Sequence, residues 1–311
     1  MFNVRLESMR TRIGILILII ITGFLGKSPA LAQAPQLALW PDGIPGNPIS
    51  YAGEKLRSEE VNEHSPSQMN RVFSQVSTPA YVLYQPEEQL NNGIALVICP
   101  GGGFRDVWFD REGVDLAMWL AERGFTSLVL KYRTYNPDAA GFSLEQKLYN
   151  PEVYADAKQA IHILRSRASD LGIKRNKIGI AGYSAGGALA LMALLETHEQ
   201  ELPAYSAFEY TTLPDFACLI YPGIRNNFIK AVESKKHLPP VFIINGGEDQ
   251  VTPASKCIEL YSALWNNNHP AELHIYAKGR HGFDSGIGRG SGVGSWQDSF
   301  ICWLKDMEIM D

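Results

Sequence analysis

Apolar positions in this 311-residue chain follow two alternating patterns. Short continuous runs rich in β-branched residues, Ile94–Cys99, Thr126–Tyr132, Ile178–Ala181, Phe216–Tyr221, Val241–Asn245 and Leu273–Tyr276, read as strands. They do not alternate with polar residues, so both faces must be covered, as in a parallel sheet. Between them lie helical patterns. Asn150-Pro151-Glu152 supplies an N-cap, a first-turn proline and an acidic first turn. Ala157, Ala160, Ile161, Leu164, Ala168 and Leu171 then recur on one face, and Gly172 closes the helix. Asp110 to Arg123, closed by Gly124, is a second amphipathic helix, whereas Ala188 to Leu195 is apolar all round and must be buried. Strands alternating with helices through short joints predict an α/β fold, a mostly parallel central sheet with helices on both faces. An antiparallel strand, Ala80–Tyr84, and the Trp40-Pro41-Asp42-Gly43 region are expected to extend one edge.

The first 32 residues stand apart. Arg5, Arg10 and Arg12 precede an apolar run of 13 residues, Ile13 to Leu25, and Ala30-Leu31-Ala32 places small residues where a signal peptidase cuts. A spanning helix needs ~20 apolar residues. The expectation is therefore a signal peptide over 1–32, a single domain over 33–311, and a secreted or periplasmic product with no stable membrane span. Losing Arg5, Arg10, Arg12, Lys27 and Glu7 with the leader moves the formal charge from −5 to −8. An acidic chain without a basic run gives no electrostatic reason to bind nucleic acid.

Cys99 and Cys218 sit in strand-like runs and read as buried small hydrophobes. Cys257 and Cys302 fall on helical patterns, where an exported protein could pair them. There is no C-x-x-C and no H-E-x-x-H, so neither metal nor cofactor is expected.

Gly182-Tyr183-Ser184-Ala185-Gly186 matches G-x-S-x-G and sits between a strand and a buried helix. That context is the one a nucleophile elbow needs, with flanking glycines that let the chain turn sharply and lift the serine hydroxyl. A serine hydroxyl needs a base within hydrogen-bond reach. His281 lies in the loop Gly279-Arg280-His281-Gly282-Phe283, just past the last strand. The other histidines fit less well. His162 falls on a helix face with Lys158 and Arg165 that reads as solvent-exposed, His64 and His198 lie in polar loops, His237 and His269 follow charged or Asn-rich stretches, and His274 lies inside a strand. The acid should follow the preceding strand, in Gly246-Gly247-Glu248-Asp249. Asp249 fits the register three residues after the first glycine, with Glu248 the alternative. Pro100-Gly101-Gly102-Gly103 lacks dinucleotide spacing and a Walker lysine. Beside an elbow it reads as an oxyanion loop, in which the amides of Gly102 and Gly103 join that of Ala185; one such donor is worth ~3 kcal/mol of barrier.

These pieces, with Leu39-Trp40-Pro41-Asp42-Gly43, Glu112-Gly113, Leu130-Lys131-Tyr132-Arg133 and His281-Gly282-Phe283, resemble the acetylxylan-esterase-like and feruloyl-esterase-like branch of the α/β-hydrolases over residues 39 to 304. Two positions depart from that pattern: Phe104 where a Tyr is frequent, and Arg111 where a His is frequent. The resemblance implies a serine esterase acting on a small-molecule or oligosaccharide ester. A prolyl-oligopeptidase-like peptidase would carry a large extra domain for which this chain has no room. A non-catalytic binding module would lack one of the three site residues. Trp119 and Trp303 read as helix-face core rather than a sugar platform. The 19 residues between the strands ending at Tyr221 and starting at Val241 hold one short charged helix, and Asn136 to Asn150 is short and polar, so little or no lid is expected.

Overall fold

The computed structural model describes residues 34–45, 53–135, 151–197 and 208–311. The leader, the segment 136–150 and His198 lie outside them. In chain order the strands are β1 (Leu37–Ala38), β2 (Lys55–Ser58), β3 (Arg71–Ser74), β4 (Ala80–Tyr84), β5 (Ala95–Cys99), β6 (Asp106–Trp108), β7 (Thr126–Lys131), β8 (Ile178–Tyr183), β9 (Ala217–Ile220), β10 (Val241–Gly246) and β11 (Ala271–Tyr276). The helices are α1 (Asp115–Ala121), α2 (Pro151–Ser166), α3 (Ala185–Leu195), α4 (Asn226–Ser234), α5 (Ala254–Asn266) and α6 (Trp296–Asp306).

Eight strands form one sheet in the order β1-β4-β7-β5-β8-β9-β10-β11. From β7 to β11 every neighbour is parallel, with Val97 opposite Leu128 and Ile180 opposite Ala217. β4 joins β7 antiparallel, and β1 pairs antiparallel with β4. Five of the six expected runs are covered on both faces, β5, β7, β8, β9 and β10 being buried along their whole length, whereas β11 is the edge strand and stays partly exposed. Full burial of a Val, Leu or Ile side chain stabilises by ~1.5–3 kcal/mol, so this central block dominates the fold. Helix α3 is buried at every position, as its uniform apolarity requires.

Several expectations change. The edge extension is Leu37–Ala38, whereas Trp40 to Gly43 forms a turn, and the Trp40 indole donates to Asp156 on α2 at 2.8 Å. Arg133 also meets Asp156 in a fully buried ion pair at 2.9 Å. The Trp40 and Arg133 motifs therefore lock the sheet edge to α2. A second sheet, β2-β3-β6, was not anticipated, because Lys55–Ser58 is exposed throughout and carries no apolar alternation. The expected helix from Asp110 opens with a wider turn, in which Val114 N–H reaches Phe109 O at 3.0 Å. Such turns recur at functional sites.

The His162 face is not solvent. Lys158 and Arg165 are buried, Arg165 donating to Thr211 O, Leu213 O and Asp215, and His162 is half-buried with its ring 4.7 Å from that of Phe208. The segment 208–215 covers this face. Cys257 and Cys302 do not pair: Cys257 is buried beside Asn245 while Cys302 is exposed on α6. Cys99 and Cys218 are buried as expected. Trp303 is core, and Trp119 is half-buried beneath Arg123. Among the described residues no helix is long and apolar enough to cross a membrane.

Candidate active site

Ligands of open α/β sheets sit outside the carboxyl ends of the strands, and there the candidate residues converge. Ser184 directly follows β8 and precedes α3. Its backbone adopts φ 50°, ψ −114°, a region that costs a non-glycine residue ~1–3 kcal/mol. Hydrogen bonds hold it there: its N–H donates to Ile220 O at 3.0 Å, and its carbonyl accepts from Ala188 and Gly223 at 3.1 and 2.9 Å. The flanking glycines are obligatory by space. A Cβ at Gly182 would lie 2.1 Å from Gly186 O, and one at Gly186 would lie 2.0 Å from Cys99 O.

Ser184 Oγ lies 2.9 Å from His281 Nε2, and His281 Nδ1 lies 2.8 Å from Asp249 Oδ2. Asp249 follows β10 by three residues, and its other oxygen accepts the N–H groups of Val251 and Thr252, each at 2.8 Å. Burial alone would raise the Asp249 carboxyl. Hydrogen bonds from His281 and Thr252 outweigh it and hold the group below the ordinary carboxylate range. Glu248 is elsewhere. It pairs with Lys278 at 2.6 Å on the surface, and that lysine holds its carboxyl low.

Of the oxyanion candidates, Gly102 and Gly103 turn the loop after β5 at φ 131° and 63°. A Cβ on Gly101 would lie 2.9 Å from Ser184 Cβ, so this loop runs against the serine. Gly101 N–H is engaged by buried Glu112 at 2.8 Å. The amides of Gly102 and Gly103 and that of Ala185, first residue of α3, enter no backbone or side-chain hydrogen bond among the described residues. Phe104 is buried, its ring 6.0 Å from that of Tyr132, so the departure from Tyr there alters the core and not the rim.

Three further residues were missed. Thr252 Oγ1 lies 3.1 Å from His281 Nδ1, 2.9 Å from Asp249 Oδ2 and 3.0 Å from Tyr221 O. The Tyr221 ring packs edge-on to His281 at 5.0 Å, and its hydroxyl donates to Glu112 at 2.9 Å. Glu112 thus joins the glycine loop to the floor under His281. Burial pushes its carboxyl up, against the opposing pull of Arg111 and Tyr221. The sequence signal for Glu112 was the Glu112-Gly113 pair that the family resemblance singled out; Tyr221 and Thr252 carried none. No group of His, Cys, Asp and Glu among the described residues is arranged to hold a metal.

Known proteins agree with this architecture. The chain is 27% identical over 243 residues to an acetylxylan esterase of Xylanibacter ruminicola, covering 73% of this chain and 46% of that protein. It is 25% identical over 229 residues to endo-1,4-beta-xylanase B of Butyrivibrio fibrisolvens, covering 66% and 34%. The chain therefore spans less than half the length of these relatives. Among solved structures, the acetyl ester-xyloside bifunctional hydrolase from Caldicellulosiruptor lactoaceticus superposes with a TM-score of 0.61 at 24% identity, over 75% of this chain and 90% of that one. The butyrate-bound esterase Est2 from Thermogutta terrifontis gives 0.58 at 21%, over 75% and 91%. These likenesses establish the α/β-hydrolase fold. Residues 80–290 match the dienelactone hydrolase family, and the chain belongs to that family.

Proposed function

We propose that the chain is a serine-dependent carboxylic-ester hydrolase that removes small acyl groups, acetyl above all, from sugars or xylo-oligosaccharides, after export and loss of residues 1–32. The observation that carries this reading is the hydrogen-bonded sequence Ser184–His281–Asp249 at the carboxyl edge of the sheet. Ser184 Oγ attacks the ester carbonyl carbon while its proton passes to His281 Nε2. The oxyanion forms against the amides of Gly102, Gly103 and Ala185. Collapse breaks the C–O bond to the alcohol, which leaves with the proton from His281. Water, giving its proton to His281, then attacks the acyl carbon; the bond to Ser184 Oγ breaks, the acid leaves, and the proton returns from His281 to Ser184 Oγ. The names of the relatives support an acetylated saccharide as substrate.

The surroundings of His281 on its acid side favour a small acyl group. A cleft of about 650 Å³ beside it is lined by Gly247, Glu248, Asp249, Gln250, Val251 and Arg280, a polar set with one aliphatic side chain. Helix α4, the only helix between β9 and β10, buries just Phe228 and Val232. The other candidate cover, 136–150, lies outside the described residues. Each added CH₂ needs ~0.8 kcal/mol of apolar contact to bind in proportion. In a series of p-nitrophenyl esters, kcat/KM should be highest for acetyl and fall beyond ~six carbons. A steady climb from acetyl to decanoyl would reveal an acyl tunnel and overturn the reading.

Glu112 should act by position. Glu112→Ala leaves Gly101 N–H and the Tyr221 hydroxyl without their acceptor in a buried site, at ~1–3 kcal/mol per group. We expect kcat to fall about 100-fold with KM little changed, and Glu112→Gln, which keeps one acceptor, to recover about ten-fold of that loss. Steady-state kinetics with thermal unfolding checks this; a folded Glu112→Ala enzyme within two-fold of wild type would exclude the role.

A further inference from the structure

A second concavity is lined by residues that bond to the glycine loop and to the loop of His281. It is a groove of about 440 Å³, within the range of small-ligand sites, and its walls include Glu60, Asn62, Asn70, Trp108, Arg111 and Arg289. Two features tie it to the reacting centre. Trp108 N–H donates to Gly101 O at 3.1 Å, and Gly101 backs onto Ser184. Arg111 donates to Gly282 O, the residue after His281, and pairs with Asp284 at 3.0 Å.

Two residues that line the groove also have unspent hydrogen-bonding capacity. Asn70 is 7% exposed; its amide nitrogen donates to Glu60 O at 2.7 Å, yet its Oδ1 is buried without a partner. Arg111 Nε is likewise buried without one. Both residues also line a recess of about 30 Å³ with Asp115 and Asp284. Buried polar atoms are nearly always paired, so an unmatched acceptor and an unmatched donor on two residues that line the same concavity point to a polar ligand beside them. Its charge is constrained as well. Glu59 and Glu60 face Arg111 and Arg289, and both arginines already pair with Asp284. There is no net positive field to attract an anion. What remains is a wall of amide, carboxylate and guanidinium groups around the half-buried Trp108 indole, which is flanked by Arg111 at 5.0 Å and Arg57 at 5.6 Å.

Neutral hydroxyl groups, each both donor and acceptor on an apolar ring, match that lining. We propose that this groove is the subsite for the saccharide portion of the ester, and that it selects sugar esters over simple ones. This rests on the sugar-ester reading above.

The test compares kcat/KM for acetylated xylotriose with kcat/KM for p-nitrophenyl acetate in wild type, Asn70→Ala and Glu60→Ala. The ratio of the two should fall about ten-fold in Asn70→Ala and about three-fold in Glu60→Ala, through KM for the saccharide. In the Ser184→Ala background, unacetylated xylotriose should give saturation-transfer NMR signals that Asn70→Ala abolishes. If Asn70→Ala does not fold, Glu60→Ala decides, since Glu60 is exposed. A wild-type enzyme that deacetylates xylotriose while the folded variants keep the wild-type ratio overturns the subsite alone. A wild-type enzyme that cleaves p-nitrophenyl acetate but no acetylated saccharide overturns the sugar-ester reading, and the subsite with it.

Discussion

Ser184→Ala should lower kcat on p-nitrophenyl acetate on the order of 10⁶-fold and abolish labelling by a fluorophosphonate, while the thermal midpoint stays close to wild type. The serine hydroxyl sits at the elbow within reach of His281 Nε2, whereas the Thr252 hydroxyl meets the Nδ1 side beside Asp249; among the described residues Ser184 Oγ hydrogen-bonds only His281. Removing it leaves His281 Nε2 partly open to solvent, since the His281 side chain is 23% exposed, so water can replace the lost partner. The elbow backbone is held by main-chain hydrogen bonds to the Ile220 carbonyl and from the Ala188 and Gly223 amides, which alanine keeps. The loss therefore reads out chemistry and not folding. His281→Ala should be equally inactive, because serine without its base stays protonated. Labelling that persists in Ser184→Ala would remove this serine from the nucleophile role.

Asp249→Asn should reduce kcat by about 10⁴, whereas Glu248→Gln should stay within about two-fold. The asymmetry follows from which atoms face Asp249. Its Oδ1 accepts two main-chain amides, of Val251 and Thr252, so an asparagine must put its carbonyl oxygen there. Its NH₂ group then occupies the Oδ2 position, 2.8 Å from His281 Nδ1. Two donors cannot face each other, so the imidazole shifts its proton to Nε2. That nitrogen then donates toward Ser184 Oγ and can no longer accept its proton. Glu248, by contrast, loses only an exposed surface pair with Lys278, of a kind that contributes little. Steady-state kinetics on the two variants decides the matter; the reverse ranking would move the acid by one residue and leave the rest of the site unchanged.

How much of this was legible beforehand depends on the range of the interaction. The runs at β5, β7, β8 and β10 announced a sheet covered on both faces, because burial of a strand is written in adjacent residues. The uniform apolarity of α3 announced its burial in the same way. The elbow glycines were legible too, since the close approaches of Gly182 and Gly186 belong to one turn and its immediate neighbours. His281 followed from its place after the last strand.

Other features had no local mark. Strand β2 is fully exposed and exists through pairing with β3 and through Arg57 meeting Asp106, so its own residues show no period. The polar stripe of α2 looked solvated, yet residues 208–215, more than 40 positions away, cover Arg165. Cys257 and Cys302 sat on plausible helices, but a core-facing position and a solvent-facing one do not meet. The choice between Asp249 and Glu248 turned on which way two adjacent carboxylates leave the turn after β10. Glu112 and Tyr221 lie 109 residues apart, and their contact spans the glycine loop and the floor beneath His281. Sequence by itself determined the central strands, the helices that cover them and the convergence of Ser184, the acid loop and His281, because these follow from burial patterns and turn geometry within a few residues. Tertiary structure alone decided which buried groups brace the site, because a hydrogen bond between distant segments depends on ångström-scale placement that no local pattern carries.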